Sequence, residues 1–100
     1  MNLFGINDMD NKDEIRRKIS DLESKKRSLE SDLYRAESEN DRARSDINYY
    51  GDAENDRNHK YYWEYHDALN RHNKYSREVR NIKDDIWDIR IDISDLEREL

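Results

Sequence analysis

The sequence predicts an all-α fold, an antiparallel two-helix hairpin of the coiled-coil type. Two long segments, residues 12–50 and 61–100, carry apolar side chains at steps that alternate between three and four residues. This spacing is typical of helices that pack along a narrow heptad stripe. The segment between them, residues 51–60, breaks the heptad frame, and the charges of the two long segments are complementary when the chain folds back on itself. These observations favour a hairpin over one continuous helix with a stutter.

The composition agrees with thin helices rather than a broad core. The chain has 100 residues, of which 44% are charged and 33% apolar, with no proline, and a chain of this length holds one domain. A net charge of −6 disfavours nucleic acid and anionic membrane as partners, because phosphate binding depends on clustered Lys and Arg. The sequence contains no cysteine, which excludes disulfides and cysteine zinc sites.

The first predicted helix follows an irregular N-terminal arm, residues 1–11. Asn11 is suited to an N-cap with Glu14 as its capping-box partner, so helix 1 is predicted over residues 12–50. Its heptad stripe has polar interruptions at Lys26 and Asn40. The stripe consists of Ile15, Ile19, Leu22, Lys26, Leu29, Leu33, Ala36, Asn40, Ala43, Ile47 and Tyr50.

A turn is predicted over residues 51–60, with Gly51 in the left-handed position that commonly ends a helix. Helix 2 is predicted over residues 61–100. Its stripe consists of Tyr61, Tyr65, Ala68, His72, Tyr75, Val79, Ile82, Ile86, Ile89, Ile93, Leu96 and Leu100. Two antiparallel registers are open, one that pairs His72 with Ala43 and one that pairs it with Ala36. In both, Asn40 lies within about one helical turn of His72, which is typical of a polar pair that fixes register.

Blocks of charge predict the antiparallel orientation. Residues 12–27 have 7 basic and 4 acidic side chains (net +3), and residues 84–100 have 2 and 7 (net −5). Residues 30–46 have 3 and 6 (net −3), and residues 65–83 have 5 and 2 (net +3). Folding the chain back on itself places opposite charges face to face, and complementary charge selects orientation.

No pattern in the sequence indicates an enzyme. The histidines His59, His66 and His72 lack the spacing of three or four residues that a metal site on a helix needs, and the many carboxylates fit a solvated helix face. We therefore expect no catalytic residue, no metal and no cofactor.

Several apolar side chains fall outside the two stripes. Trp87 and Ile91 are four residues apart on the outer face of helix 2, and Tyr62 and Leu69 fall beside the stripe. The aromatic run that begins at Tyr61 and includes Trp63 either closes the end of the hairpin or forms a contact surface. The pair on the outer face is either a helix-packing surface or is covered by Lys and Arg stems.

The chain resembles the small helical-hairpin proteins of Gram-positive type VII secretion. Phe4-Gly-Ile-Asn-Asp8 matches a Phe-x-x-x-Asp pattern found in partners of LXG toxins, whereas the Trp-x-Gly of the related Trp-x-Gly superfamily is replaced at the turn by Tyr50-Gly51. The resemblance implies a chaperone or targeting factor that pairs with a helical partner domain. The expected partner-binding residues are Leu3, Phe4, Asp8, Tyr62, Trp63, Leu69, Trp87 and Ile91.

The sequence therefore predicts a non-catalytic helical adaptor that forms a four-helix bundle with a protein partner, a secreted toxin domain or another small hairpin. The alternatives are a self-associating structural coiled coil and a scaffold protein of phage or cell division. No signal-peptide pattern or apolar run of membrane-spanning length occurs. We expect a cytoplasmic protein, or one exported without a cleavable signal.

Overall fold

The computed structural model describes residues 3–100, with their side chains from residue 11 onward. Helix α1 spans Leu3–Tyr49 and helix α2 spans Tyr62–Arg98, with a short 3₁₀ turn at Gly51–Ala53 between them. These residues contain no β-strand. The two helices pack against each other as an antiparallel hairpin, which confirms the predicted fold class.

The heptad stripes form the inner sides of the two helices. Every predicted stripe residue from Ile15 to Tyr50 is buried or half-buried, and the same holds from Tyr61 to Leu96. Leu100 is exposed, because α2 ends at Arg98. Side chains spaced three and four residues apart share one face of a helix, so the stripe spacing identified the packed faces correctly.

One of two compact units, here called the terminal unit, contains the residues up to Glu30 together with Asp84–Leu100. Its buried core comes from α2, where Ile86, Ile89 and Ile93 are at most 7% exposed. Full burial of such a side chain contributes about 1.5–3 kcal/mol. The facing stripe residues of α1 are only half-buried. They are Ile15, Ile19, Leu22, Lys26 and Leu29.

The second compact unit, here called the turn unit, contains Ser31–Lys83. Alanines form much of its core, with Ala36, Ala43 and Ala68 all buried. The distance between packed helices depends on the size of the side chains at the contact, so these alanines allow a close approach. Tyr65 is the large buried side chain beside them.

The predicted turn is present, and local hydrogen bonds hold it. The N–H of Asn58 donates to the Asp56 carboxylate over 3.0 Å, and the N–H of Tyr61 donates to His59 Nδ1 over 3.1 Å. Side chains of this kind stabilise turns by replacing backbone partners. Ala53 is fully buried within the connection. His59 therefore stabilises the entry to α2, and the continuous-helix alternative is excluded.

Gly51 departs from its predicted conformation. None of the described glycines has a positive φ, and Gly51 instead begins the 3₁₀ turn. The N–H of Ala53 donates to the Tyr50 carbonyl over 2.9 Å, and the N–H of Glu54 donates to the Gly51 carbonyl over 3.2 Å. The prediction of a left-handed glycine is wrong, because a tightened 3₁₀ turn follows the helix in its place.

Helix α1 also begins earlier than predicted. It starts at Leu3, so the prediction of an irregular arm over residues 1–11 is wrong for residues 3–11. Extending an existing helix gains one hydrogen bond for each added residue without a new nucleation step, and no proline interrupts this segment. The capping preference of Asn11 does not outweigh that gain.

The charge blocks produce ion pairs across the helices in the turn unit. Arg71 lies 2.8 Å from Asp46 and Lys83 lies 3.9 Å from Glu37, which joins the predicted acidic and basic blocks. In the described residues of the terminal unit, the ion pairs within 4.0 Å connect residues of the same helix. They are Arg16–Asp13, Lys18–Glu14 and Arg98–Asp95.

Over the residues that the structure describes, neither α1 nor α2 has an apolar stretch long enough to cross a lipid bilayer.

Candidate protein-binding surfaces

The outer face of α2 in the terminal unit carries an exposed apolar pair. Trp87 is 61% exposed and Ile91 is 43% exposed, while their neighbours Ile86 and Ile89 are buried in the stripe. Residues four apart lie next to each other on a helix surface, so the two side chains form one patch, here called the Trp87 patch. Tryptophan is highly buried on average in folded proteins, and the hairpin packing leaves this one open to solvent.

The aromatic residues at the turn divide into two groups. Tyr50 and Tyr61 are half-buried with ring centroids 5.1 Å apart, and this pair bridges the end of α1 and the entry to α2. Trp63 is 67% exposed and Tyr49 is exposed as well. Thus part of the aromatic run closes the hairpin, as one reading of the sequence predicted, and part of it faces solvent.

A half-buried strip continues from the aromatic run along α2. Tyr62 and His66 have ring centroids 4.3 Å apart, and Leu69 lies three residues further on the same side. His66 Nε2 is buried without a hydrogen-bond partner. The sequence indicated a solvated histidine or one in the stripe, whereas His66 lies beside the stripe and contacts aromatic rings.

Polar groups fix the alignment of the helices in the turn unit. His72 Nδ1 donates a hydrogen bond to Asn40 Oδ1 over 2.7 Å, and the Ser76 hydroxyl donates to the same oxygen over 3.3 Å. The expected proximity of Asn40 and His72 is confirmed, and it takes the form of a direct bond. These three side chains therefore form hydrogen bonds with one another between the two helices.

Two groups in the turn unit have shifted pKa values. Hydrogen bonding to the Asp46 carboxylate, with a smaller contribution from Asp67, raises the pKa of the Arg71 guanidinium. Partial burial raises the pKa of the Tyr50 phenol, and the charge of Asp46 adds to the rise. Both shifts come from structural contacts between or beside the helices, and neither produces a group that titrates near neutral pH.

In the described part of the chain, no three His, Asp or Glu side chains come together as metal ligands would. Most carboxylates of residues 11–100 are exposed, and the partly buried Asp46 is held by Arg71.

The eight predicted partner-binding residues fall into three sets. Trp87 and Ile91 lie in the terminal unit, whereas Tyr62, Trp63 and Leu69 lie in the turn unit. Leu3, Phe4 and Asp8 fall in the first turns of α1, and their side chains lie outside the described part of the structure.

The sequence did not single out the half-exposed stripe leucines of the terminal unit. The heptad pattern could have identified them, because an a/d stripe that packs against only one other helix can stay partly exposed.

Searches with this chain find no matching protein-family model, no matching curated protein and no matching solved structure.

Proposed function

We propose that this chain is a non-catalytic helical adaptor that binds the helices of a partner protein and supports its stability or export. The observation that carries the proposal is the Trp87 patch, an exposed Trp and Ile pair on the face of α2 that points away from the hairpin core. Burial of one such side chain contributes about 1.5–3 kcal/mol. Tryptophan is also among the residues that dominate protein interfaces.

The energetics of the hairpin support an added helical partner. Two helices bury one stripe each, and the chain has no cysteine to form a disulfide. Small folds of this kind commonly gain stability by association, and a four-helix bundle is an ordinary result when hairpins pair. In the proposed complex the partner contributes further helices that cover the Trp87 patch.

The resemblance to small type VII secretion proteins supplies the class of partner. We infer that the partner is the helical domain of a secreted LXG toxin, with this chain as its chaperone or targeting factor. In this proposal the chain acts by covering apolar surface on the toxin, so that the complex rather than the free toxin is competent for export.

Co-expression with the protein encoded by the adjacent gene tests the proposal. The complex is purified through a tag on that protein and analysed by size-exclusion chromatography with light scattering. We expect the two proteins to co-elute at a defined stoichiometry, and Trp87→Ala to weaken the complex about thirtyfold or more, since an interface hot spot contributes about 2 kcal/mol or more.

Tyr34→Ala is the matched control, because Tyr34 is an exposed aromatic residue, 75% accessible, that lies outside the proposed surface. It should leave the complex intact, and far-UV circular dichroism should report equal helicity for both variants. A chain that stays monomeric beside that protein contradicts the proposal. A homo-oligomer that ignores the protein and is insensitive to Trp87→Ala favours the structural coiled coil instead.

A further inference from the structure

A groove with an apolar floor runs along the terminal unit between α1 and α2. Leu22, Leu29 and Leu96 are half-buried in its floor and Ile89 is buried there. Two neighbouring stretches of the groove share Leu22 and Asp92 in their linings, so the floor is continuous over several helical turns. These three leucines keep part of their surface in water.

The α2 rim of this groove is entirely acidic. It consists of Asp85, Asp88, Asp92 and Asp95, whose spacings of three, four and three residues place them along one side of the helix. Asp95 pairs with Arg98 over 3.7 Å, whereas among the described residues no Lys, Arg or His nitrogen lies within 4.0 Å of the other three carboxylates. The rim thus presents a line of four carboxylates about 15 Å long, three of which have no ion pair within 4.0 Å among the described residues.

The α1 rim differs from the α2 rim. It contains Lys18, Asp21 and Lys25, so its charges alternate and nearly cancel. A helix that lies in the groove would meet strong negative potential on one side and a mixed surface on the other. Complementary charge fixes the orientation and the choice of partner at an interface.

A second copy of this chain is a poor occupant of the groove. Outside the stripe, residues 11–30 of α1 carry only polar or charged side chains, so that face has nothing apolar to insert. The exposed pair Trp87 and Ile91 is bordered by Asp84 and Asp88 on one side and by Lys83 and Arg90 on the other, and it covers a single turn of α2. Neither face therefore offers an apolar stripe that repeats over several turns and could fill the groove.

The other exposed aromatic residues do not change that conclusion. Tyr34, Tyr49 and Trp63 are each exposed, but none has an exposed apolar neighbour three or four residues away along its helix. A groove of this kind takes an apolar stripe repeated over several turns, which a single ring does not provide.

We propose that this groove binds an amphipathic helix of a different protein, one whose apolar stripe is bordered by Lys or Arg on the side that faces α2. Leu-type side chains three and four residues apart cover the leucine floor, and the cations pair with Asp85, Asp88 and Asp92. The inference rests on the proposed adaptor function and specifies the chemistry of the helix that the partner presents.

Fluorescence anisotropy with synthetic helical peptides of about 18 residues, roughly five turns, tests the inference. One peptide carries a leucine stripe bordered by lysine, a second the same stripe bordered by glutamate, and a third the residues of the first in scrambled order. We expect the lysine-bordered peptide to bind at least about tenfold more tightly than either of the others, with affinity that falls as salt rises.

A pair of double variants locates the site. Asp88→Lys with Asp92→Lys reverses two rim charges, and Asp84→Lys with Glu97→Lys makes the same change at exposed positions outside the groove lining. We expect the first to lose about tenfold or more in affinity and the second less than about threefold, because neither Asp84 nor Glu97 lines the groove and exposed charges that do not contact the peptide contribute little. Circular dichroism should give equal helicity for both.

Three results would overturn the inference: equal loss in the two double variants, equal binding of the scrambled peptide, or no binding of the lysine-bordered peptide. Each leaves the adaptor function separately testable, because that function depends on the Trp87→Ala result with the adjacent gene's protein. If Trp87→Ala disrupts the complex but reversing the charges of Asp88 and Asp92 does not, only the groove inference is contradicted.

Discussion

His72 Nδ1 donates a hydrogen bond of 2.7 Å to Asn40 Oδ1 across the two helices of the hairpin. Both residues interrupt otherwise apolar stripes, and both are half-buried. A polar group in such a position is costly unless it finds a partner. Slipping one helix by a heptad would separate the two groups, so this bond fixes the antiparallel alignment of the turn unit.

Removing either member of the Asn40–His72 pair should lower the free energy of unfolding, and the losses from the two removals should not be additive. Asn40→Ala leaves the imidazole of His72 without its acceptor, and we expect the free energy of unfolding to fall by about 1–3 kcal/mol. In a double-mutant cycle with His72→Ala, measured by urea denaturation, the coupling should be about 0.5–3 kcal/mol. Additive losses would mean that the bond contributes nothing to alignment.

The two ion pairs across the helices should differ in importance. Arg71 bridges Asp46 and Asp67 at 2.8 and 2.9 Å, and about a third of its side chain is exposed. We expect Arg71→Ala to lower the free energy of unfolding by up to about 1 kcal/mol after solvent screening, with a smaller loss at high salt. Thermal melts at low and high salt measure both effects.

The matched control for Arg71 is Lys83→Ala. Lys83 lies 3.9 Å from Glu37 with both side chains largely exposed, and such pairs often contribute nothing measurable. We expect a change within about 0.5 kcal/mol. A larger loss for Lys83→Ala than for Arg71→Ala would contradict the ranking by distance and burial.

The alanine core of the turn unit should resist enlargement. Ala68 is fully buried, and replacing it with leucine forces larger groups between closely packed helices. We expect Ala68→Leu to cost about 1–3 kcal/mol by overpacking. Asn70→Leu places the same side chain at an exposed position of α2 and should change stability by less than about 0.5 kcal/mol. Equal melting temperatures for the two variants would contradict close packing.

Replacing Gly51 with alanine should stabilise the hairpin. Gly51 has no positive φ, and a Cβ at this position would meet no atom within 4 Å. Alanine restricts the unfolded chain more than glycine does, so we expect Gly51→Ala to raise stability by about 0.4–1 kcal/mol. A lower melting temperature in calorimetry would indicate a left-handed conformation, as the sequence first suggested.

The sequence alone was sufficient to predict the structural features that depend on the periodic spacing of side chains. The stripes identified the packed faces, the frame break located the turn, and the polar positions of Asn40 and His72 predicted their proximity. Each of these features depends on spacing along a helix, which is fixed by helix geometry rather than by long-range contacts.

The sequence alone was insufficient where the conformational preference of one residue competes with that of the surrounding helix or turn. Asn11 has the side chain of an N-cap, yet α1 continues through it to Leu3. Gly51 has the residue type of a left-handed cap, yet a 3₁₀ turn forms. The role of His59 Nδ1 as the acceptor for Tyr61 N–H depends on the path of the connection, which residue spacing does not determine. The groove is half-open because of the number of helices that cover each stripe. The heptad pattern of one chain does not determine that number.

The adaptor function is tested most directly by the solvent exposure of Trp87 in the complex. The chain has two tryptophans, so Trp63→Phe leaves Trp87 as its sole indole reporter. With a tryptophan-free version of the adjacent gene's protein, complex formation should move the Trp87 emission to shorter wavelength and reduce its quenching by acrylamide, because the indole passes from water into an interface. A complex that forms while emission and quenching stay unchanged would contradict the proposal that this face binds the partner.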